Sequence, residues 1–441
     1  MSSVAGRMAE VVQELYARKP ENQMRPRLEP TRLAVELMGN PQHAYPVIHL
    51  TGTNGKTSTA RIIERILREM GLKTGRVTSP HLISFNERIS LDGDPVSDEL
   101  FVENYEQNKP LLDLIDAQLA EQSEAPLTFF EAFTALSFQL FADAPIDVLV
   151  LEVGIGGEWD STNVADGDVA VFTPIDLDHT KTLGDTVEEI AQTKAGIIKE
   201  KSVVVSSAQW ESVEEIIRSR SKQDYHFAGQ SFELLGAQPD GYGTRFSVRG
   251  IVGSYPDLWM PIIGEHQAEN AATAIAAVEM FLGGRAIADE VLRSALADSL
   301  SPGRLQVVAK EPLIVLDGAH NPAGLRSLRR SIQWHFKPGR TTALVAMLAD
   351  KDIDSAAAVL AETFDDLIVT QVEGPRALAA DELAKVLRAK GANVVDVDVA
   401  IPSAYKKASR LAGEDAMFVT GSLYLVGAVL EMLQEELDEE D

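Results

Sequence analysis

The sequence predicts an α/β protein with a doubly wound N-terminal domain, which carries a P-loop, and a smaller Rossmann-like C-terminal domain. The first observation is an apolar strand, VIHL at 47–50, that is followed by TGTNGKTS and an amphipathic helical segment. The second is a series of apolar runs in the C-terminal third that alternate with helical segments, as in βαβ units. We place the boundary at the SPGR segment, so that the domains span 1–302 and 303–441.

The other elements follow in order from periodicity and turn signals. We predict helices over 98–122 and 186–199, a helix that opens at Thr128 with a capping box to Glu131, and an Ala-rich helix from His266. Strands are predicted at 147–154, 168–174 and 202–206. Residues 75–82 are predicted as a short strand that ends in a loop and is continued by 85–89, and a small antiparallel patch is predicted within 231–263. The runs IVL, TTALVAML, DLIVT, ANVVDV and AMFVT supply the C-terminal sheet, and the acidic tail 435–441 is expected to be disordered.

The composition is that of a globular chain with large apolar cores. Of 441 residues, 45% are hydrophobic and 24% are charged, which fits two or three domains. The formal net charge of −27 disfavours nucleic acids and anionic membranes as partners. Because the chain has no cysteine, disulfides, thiolate metal sites and thiol nucleophiles are excluded. Because the net charge is strongly negative, an anionic substrate must be met by local cations rather than by the overall field of the protein.

The N-terminal segment predicts a cytoplasmic location. Residues 1–23 have the pattern of an amphipathic helix that contains acidic residues. They lack the apolar core of roughly 7–15 residues that a signal peptide needs. No apolar run in the chain approaches the roughly 20 residues needed to span a bilayer.

The strand, Gly-rich loop and helix at 47–70 together predict a phosphate site. Loop and helix-start N–H groups converge on an anion there, and the helix dipole favours negative charge. Lys56 can reach the β- and γ-phosphates, and the Thr57 hydroxyl can bind Mg²⁺. The match to GxxxxGK[ST] is imperfect, because Leu50 stands where that pattern has glycine. The alternative is an ordinary strand–turn–helix corner, but the flanking strand and helix favour the phosphate site.

Polar residues gather at the predicted carboxyl ends of strands, where doubly wound sheets bind their ligands. The four clusters in the first domain are Lys56-Thr57, Ser79-His81, Glu152 and Asp178-His179. Glu152 precedes a Gly-rich turn and is a candidate Mg²⁺ ligand, since hard cations prefer oxygen; the alternative is a solvated acid. His179 is either functional or structural, and the residues alone leave this open.

Lys194 interrupts an apolar helical face that is formed by Ile190, Ile197 and Ile198. Burial would lower its pKa and leave a neutral, reactive amine. The alternative is a snorkelling lysine, whose stem packs while its ammonium group reaches water, and periodicity alone favours that reading.

In the second domain, Asp317 and His320 follow the strand IVL within DGAHNP. An Asp and a His at a strand end indicate a further polar site, which we expect to face the phosphate loop. Arg304, at the domain boundary, offers a cation for a phosphate group.

Ten motifs in order resemble the folylpolyglutamate synthase/dihydrofolate synthase family, within the Mur-type ATP-dependent amide ligases. They are TGTNGKTS, TSPHL with NERI, TFFE, EVGIGGEWDSTN, DHTKTLG, IAQTKAGIIK, HQAENAATA, GRLQ, LDGAHNPAG and GSLYLVG. Each motif alone is modest evidence, but the ordered set is specific and covers about residues 28 to 430. The resemblance implies a Mur ligase-like fold with ATP bound between two domains. GIGG in place of the more usual GLGG is a volume-conserving departure.

The resemblance also implies roles for individual residues. Phosphate and nucleotide contacts would come from Thr53, Asn54, Gly55, Lys56, Thr57, Asn270, Arg304 and Asp317. Magnesium would be held by Thr57, Ser79, Glu152, His179 and Lys194, with Lys194 carbamylated, which reverses the snorkelling reading. Substrate contacts would come from Ser79, His81, Thr128, Phe129, Phe130, Glu131, Asp160, His320 and Ser422. The catalytic set would be Lys56, Lys194, His179 and His320.

The implied reaction is the ATP-dependent ligation of L-glutamate to dihydropteroate and of further γ-linked glutamates to reduced folates. The substrate carboxylate attacks the γ-phosphate of ATP, and the glutamate amine then attacks the resulting acyl phosphate. The implied cofactors are ATP, two Mg²⁺ ions, a monovalent cation and the carbamate on Lys194, and a monomer is expected.

Three other functions compete with the bifunctional enzyme. A monofunctional folylpolyglutamate synthase is the nearest, and TSPHL, TFFE and Asp160 favour the bifunctional pattern. A peptidoglycan-precursor ligase would need a nucleotide-sugar domain before the loop, for which about 50 residues are too few. A nucleotide-dependent switch would not need the distant DGAHNP domain.

Overall fold

A computed structural model describes residues 3–19 and 26–440, with the backbone alone for 437–440. The helices are α1 Val4–Tyr16, α2 Glu29–Leu37, α3 Lys56–Glu69, α4 Asp98–Glu121, α5 Phe129–Asp143, α6 Thr180–Leu183, α7 Val187–Lys194, α8 Glu211–Arg220, α9 Glu265–Phe281, α10 Asp289–Ala297, α11 Pro322–Ser331, α12 Ile353–Thr363, α13 Ala380–Ala389, α14 Ile401–Ala412 and α15 Leu423–Glu440. The strands are β1 Val47–Thr51, β2 Thr74–Val77, β3 Ile89–Leu91, β4 Asp94–Pro95, β5 Val148–Glu152, β6 Val169–Phe172, β7 Val203–Ser206, β8 Tyr225–Phe227, β9 Glu233–Asp240, β10 Gly243–Arg249, β11 Ser254–Met260, β12 Gln306–Lys310, β13 Leu313–Leu316, β14 Thr341–Val345, β15 Asp366–Val369, β16 Val394–Val397 and β17 Ala416–Thr420.

The chain forms two compact units. The first comprises residues 1–235, 247–256 and 269–298, and the second comprises 236–246, 257–268 and 299–441. The second unit therefore takes in two segments that precede its main part, and the sequence did not suggest them. The predicted domain boundary at 302/303 stays a prediction.

The first unit contains an eight-stranded sheet in the order β4-β3-β2-β5-β1-β6-β7-β8. The pairs from β2 to β8 are parallel, whereas β3 and β4 add an antiparallel edge. β1 lies at the centre and is buried along its whole length, as a parallel strand covered on both faces should be. α3 buries Ile62, Ile63, Ile66 and Leu67 of the predicted apolar face, whereas Met70, the fifth residue of that face, follows the helix and is exposed.

The second unit contains a six-stranded sheet in the order β12-β13-β17-β14-β15-β16. Its strands from β13 to β16 pair in parallel, and β12 pairs antiparallel with β13. Helices that join parallel strands bury leucines and alanines against the sheet. Both doubly wound sheets therefore agree with the predicted fold class.

A separate three-stranded sheet in the order β11-β10-β9 corresponds to the small patch predicted within 231–263. Its strands are joined by 241–242 and 250–253. Connections this short permit only antiparallel neighbours, as predicted.

Three sequence predictions were wrong. Residues 85–88 form a 3-10 helix rather than a strand, because the Glu87 carboxylate accepts the N–H groups of residues 82–84. α7 ends at Lys194 rather than at 199, and a 3-10 turn over 195–197 follows it where Gly196 packs against Glu158. The acidic tail is helical to Glu440, because α15 starts on a buried apolar turn and Glu propagates a helix well. Residues 1, 2 and 20–23 of the predicted N-terminal helix lie outside the described residues.

The capping box at the start of α5 is confirmed and is tied to an ion pair. The Thr128 N–H donates to the Glu131 carboxylate at 2.7 Å, and the Glu131 N–H donates to the Thr128 hydroxyl. The Arg27 guanidinium binds both oxygens of the same carboxylate, at 2.8 and 2.9 Å. The side chain of Glu131 is 3% exposed, so this pair is largely removed from water.

We expect Glu131→Gln to lower the free energy of unfolding by about 3 kcal/mol, because it removes the buried partner of the Arg27 guanidinium and leaves only the exposed Glu124 carboxylate, 3.6 Å away, as a counter-charge. The measurement is urea unfolding followed by circular dichroism. The matched control is Arg32→Gln, which breaks an exposed pair with Glu29 and should cost less than about 0.5 kcal/mol. Equal losses in the two variants would contradict this account.

Candidate active site

The sheet order of the first unit brings the four predicted polar clusters together. β2, β5, β1 and β6 are consecutive neighbours and run parallel. Ser79 and His81 follow β2, Glu152 ends β5, the phosphate loop follows β1, and Asp178 and His179 follow β6. All four clusters therefore lie at the same edge of the sheet, where doubly wound folds bind their ligands.

The phosphate loop is held in place by its own lysine and by the loop after β6. Lys56 Nζ donates to the carbonyl oxygens of Gly52 and Thr53, at 3.0 and 3.2 Å. The Thr53 hydroxyl donates to the carbonyl oxygen of Asp176 and accepts its N–H, while the Thr53 N–H donates to Pro174. These contacts fix the loop geometry ahead of the N-terminus of α3.

Gly52 is required by a close approach. Its φ is +150°, and a Cβ atom there would lie 2.9 Å from the backbone oxygen of Thr173. We expect Gly52→Ala to weaken binding of a non-hydrolysable ATP analogue at least about tenfold, because the loop must shift to relieve about 1–3 kcal/mol of strain. Gly39→Ala is the matched control, since Gly39 also has a positive φ but has nothing within 4 Å. The measurement is calorimetric titration of both variants with the ATP analogue. Normal affinity in Gly52→Ala would contradict the expectation.

Thr57 and Glu152 form the best-defined candidate metal site. The Thr57 hydroxyl lies 3.0 Å from each oxygen of the Glu152 carboxylate, which is 2% exposed. Two hard oxygen donors fit Mg²⁺, because this ion binds few protein ligands and fills its remaining coordination positions with waters or substrate phosphates. Within residues 3–19 and 26–440, no group of three or more His, Cys, Asp or Glu side chains could hold a metal. The donor set therefore fits Mg²⁺ that is shared with a phosphate-bearing substrate.

The Lys194 side chain is buried beside the phosphate loop. Its Nζ donates to the carbonyl oxygen of Gly52 at 2.7 Å, so it shares this acceptor with Lys56. Burial and the neighbouring Lys56 charge lower the pKa of Lys194 to about 7. The snorkelling reading of Lys194 is wrong, because the whole side chain is removed from water. The amine is therefore largely neutral just above neutral pH, as the interpretation of Lys194 as a neutral, reactive amine requires.

Asn270 also lies beside the loop, next to Gly55. It begins the second turn of α9, and a Cβ atom on Gly55 would lie 2.6 Å from its amide oxygen. Gly55 has a φ of +88° and precedes α3. The predicted nucleotide contact of Asn270 stays a prediction, and its place beside Gly55 supports it.

Ser79, His81 and His179 stand partly exposed at this edge of the sheet. His179 has a φ of +51° and is the N-cap residue before α6, and its N–H donates to the Asp178 carboxylate. Burial and the nearby Arg88 charge lower the pKa of His81 to about 4. Their predicted metal and substrate roles stay predictions.

The segment after Glu152 is held by buried polar side chains. The Asp160 carboxylate accepts the N–H groups of Ile155 and Thr162 and the Thr162 hydroxyl, and burial raises the pKa of Asp160. The Thr162 hydroxyl also bonds His49 Nε2 at 2.9 Å. Asp160 thus has a structural role besides its predicted one, and His49 was missed. A signal existed, since His49 is a polar residue inside an otherwise apolar strand.

The TFFE residues line the core rather than an open surface. Thr128, Phe129, Phe130 and Glu131 are each at most 3% exposed. Phe130 packs against Gly154, where a Cβ atom would lie 2.7 Å from its ring. Their predicted substrate contacts stay predictions, and the contact with Phe130 limits position 154, the first residue of the turn after β5, to glycine.

The second unit holds its own polar cluster around Asp317. The Asp317 carboxylate accepts the N–H groups of Leu305 and Ala319, and burial raises the pKa of Asp317. His320 Nδ1 donates to the carbonyl oxygen of Gly318 at 2.8 Å. Arg304 and Leu423, the first residue of α15, both approach Gly318, and the buried Ser422 immediately precedes Leu423. These four predicted residues therefore belong to one cluster.

Comparison with known proteins identifies the chain as an ATP-dependent ligase of the Mur type. Residues 50–278 match the Mur ligase middle domain, and residues 303–423 match the Mur ligase glutamate ligase domain. Over 385 residues the chain is 40% identical to the dihydrofolate synthase/folylpolyglutamate synthase of Mycobacterium tuberculosis, covering 84% of this chain and 79% of that protein. The folylpolyglutamate synthase of Lacticaseibacillus casei is 35% identical over 407 residues, with coverage of 90% and 92%.

A solved structure agrees with these relatives. The Mycobacterium tuberculosis folylpolyglutamate synthase complexed with ADP and AMPPCP superposes with a TM-score of 0.92 and 35% identity, covering 98% of this chain and 99% of that one. The chain belongs to the dihydrofolate synthase/folylpolyglutamate synthase family. Among the helices of the described residues, none is both long enough and apolar enough to cross a membrane.

Proposed function

We propose that this protein uses ATP to join L-glutamate to 7,8-dihydropteroate and to extend reduced folates by γ-linked glutamates. The observation that carries the proposal is the group Lys56, Thr57, Glu152 and Lys194 at one edge of the sheet, within a chain of this family. Phosphate-loop N–H groups and the Lys56 ammonium stabilise charge during phosphoryl transfer, and carboxylates such as Glu152 hold the cation that does the same.

In the first half-reaction, the carboxylate of the pteroyl substrate attacks the γ-phosphate of ATP. Lys56, the loop N–H groups and the N-terminus of α3 bind the phosphates and spread their charge. Mg²⁺, when bound, supplies Lewis-acid stabilisation of the phosphate oxygens, and Thr57 and Glu152 are the residues that would hold it. The products are ADP and an acyl phosphate.

In the second half-reaction, the amine of L-glutamate attacks the acyl carbon and expels phosphate. The cluster of Arg304, Asp317, His320 and Ser422 in the second unit is the proposed binding site for the nucleotide and the incoming amino acid. Exclusion of water from the reacting groups protects the acyl phosphate from hydrolysis. His179 and Ser79 complete the proposed metal and substrate set.

Lys194 is proposed to carry a carbamate. Its neutral amine adds to CO₂ and releases one proton, which gives an N-carboxylate that can serve as an oxygen ligand toward a second Mg²⁺. The low pKa of about 7 and the burial of the side chain support this chemistry, since only the uncharged amine reacts. A monovalent cation, a monomeric state and a cytoplasmic location complete the proposal.

The test of the function is ADP release by the purified protein with Mg-ATP, L-glutamate and one acceptor at a time. The acceptors are 7,8-dihydropteroate and a reduced folate monoglutamate. Turnover with both is the result that we expect. Turnover with the folate alone would identify a monofunctional folylpolyglutamate synthase, the alternative that the Lacticaseibacillus relative favours by its name. Turnover with neither would overturn the proposal.

A further inference from the structure

The loop that follows β2 is held by the residues just after it. Glu87 accepts the N–H groups of Leu82, Ile83 and Ser84, at distances of 2.8 to 2.9 Å. One carboxylate thus fixes three consecutive amides. The position of His81, immediately before them, is therefore set by the 3-10 helix 85–88 rather than by its own strand.

Arg88 lies beneath this loop in a fixed orientation. It is 4% exposed, and its guanidinium carbon stands 5.3 Å from the ring centre of Phe129 and 5.9 Å from those of Phe85 and Phe133. A guanidinium packed among three aromatic rings has little freedom to turn. Its Nε–H donates to His81 Nδ1 at 2.9 Å.

This contact determines which nitrogen of His81 carries the proton. A guanidinium N–H can only donate, so Nδ1 must accept and must be unprotonated. The proton of the neutral ring is then on Nε2, and that atom can only donate. The imidazole therefore presents a donor and no acceptor to any ligand that meets Nε2.

We propose that His81 Nε2–H donates a hydrogen bond to an oxygen of the pteroyl substrate, and that Arg88 is the positioning residue that fixes this donor. His81 is partly exposed and follows β2, which neighbours the strand that ends in Glu152. Pteroyl acids offer carboxylate and carbonyl oxygens as acceptors. The proposal rests on the proposed function for the identity of the substrate.

Two nearly isosteric variants separate the ring nitrogens. His81→Gln can place an amide N–H where Nε2 stands, whereas His81→Asn reaches only the position of Nδ1. We expect His81→Asn to raise the KM for the pteroyl acceptor at least about tenfold, and His81→Gln to raise it less than about threefold. The KM values for ATP and L-glutamate should not change in either variant.

Arg88→Met tests the positioning role. Alone it should raise the acceptor KM, but in the His81→Asn background it should add nothing, because it acts through His81. If Arg88→Met does not fold, Arg88→Lys is used in its place, because this variant keeps a positive charge beside the aromatic rings. Additive effects of the two substitutions would overturn the positioning role.

Nitrogen NMR of the protein labelled in its 8 histidines provides a readout without turnover. The His81 resonances, assigned by their loss in His81→Gln, should show the Nε2–H tautomer in the wild-type chain and a mixture in Arg88→Met. An Nδ1–H tautomer in the wild type, or a normal acceptor KM in His81→Asn, would overturn this inference. ADP release independent of any acceptor in the wild type would instead overturn the proposed function and leave the tautomer result standing.

Discussion

Lys194→Met is expected to abolish ligation, with turnover reduced on the order of 10³-fold, while the protein stays folded. The loss follows because the variant removes both the amine beside Gly52 and the carbamate that it is proposed to carry. ADP release in CO₂-equilibrated buffer is the measurement. Wild-type activity should also fall when CO₂ is depleted and return when bicarbonate is added, whereas Lys194→Met should not respond. Near-normal activity in the variant would contradict the assignment.

The same substitution has a stability signature of definite sign. The pKa of Lys194 is about 7 in the folded chain, below its ordinary value of 10.5, so between these values the unfolded chain binds the extra proton. Stability of the wild type relative to Lys194→Met should therefore rise with pH, by about 1.4 kcal/mol per pH unit across this window. Below pH 7 the penalty of burying the charge is fully present. The measurement is urea unfolding of both proteins in CO₂-depleted buffer at several pH values. A stability difference between wild type and Lys194→Met that does not change with pH would contradict this expectation.

Glu152→Gln is expected to give the second largest loss, on the order of 100-fold in kcat at ordinary Mg²⁺ concentrations. The amide keeps the size of the side chain and can still accept from the Thr57 hydroxyl, but it removes the charge that would hold the cation. The Mg²⁺ concentration for half-maximal rate should therefore rise strongly, and raised Mg²⁺ should restore part of the activity.

Glu188→Gln is the matched control for that experiment. Glu188 is an exposed acid in the first turn of α7, the helix that ends at Lys194, and it bonds Ser212 at the surface. Its replacement should leave the Mg²⁺ dependence unchanged. If Glu152→Gln behaved like this control, the metal would be bound elsewhere.

The phosphate loop and its partners were predictable from the sequence because their signals are local. Strand β1, the glycines and α3 follow one another without interruption, and Glu152 ends an unmistakable apolar strand. Their meeting at one sheet edge follows from parallel strand order, which the doubly wound pattern already implies. Lys194 was detected because a lysine disturbed an apolar face, but its burial could be established only from the packing around Gly52.

Other features could not be predicted because they depend on residues far apart in the chain. Segments 236–246 and 257–268 belong to the second unit although they precede its main part in the chain. The bond between His49 and Thr162 joins residues that are 113 positions apart. The 3-10 helix at 85–88 escaped detection because Phe85 and Ile89 favour a strand, whereas the carboxylate of Glu87 decides the local backbone.

The most direct test of the central claim follows the oxygen atoms of the acceptor. Dihydropteroate or a reduced folate labelled with ¹⁸O in its reacting carboxylate is incubated with Mg-ATP, L-glutamate and the purified protein. Ligation through an acyl phosphate transfers one labelled oxygen to the released phosphate for each amide bond formed, and this is the result that we expect. Glutamyl product formed with unlabelled phosphate would contradict the account, because the carboxylate would then not have been activated by phosphoryl transfer.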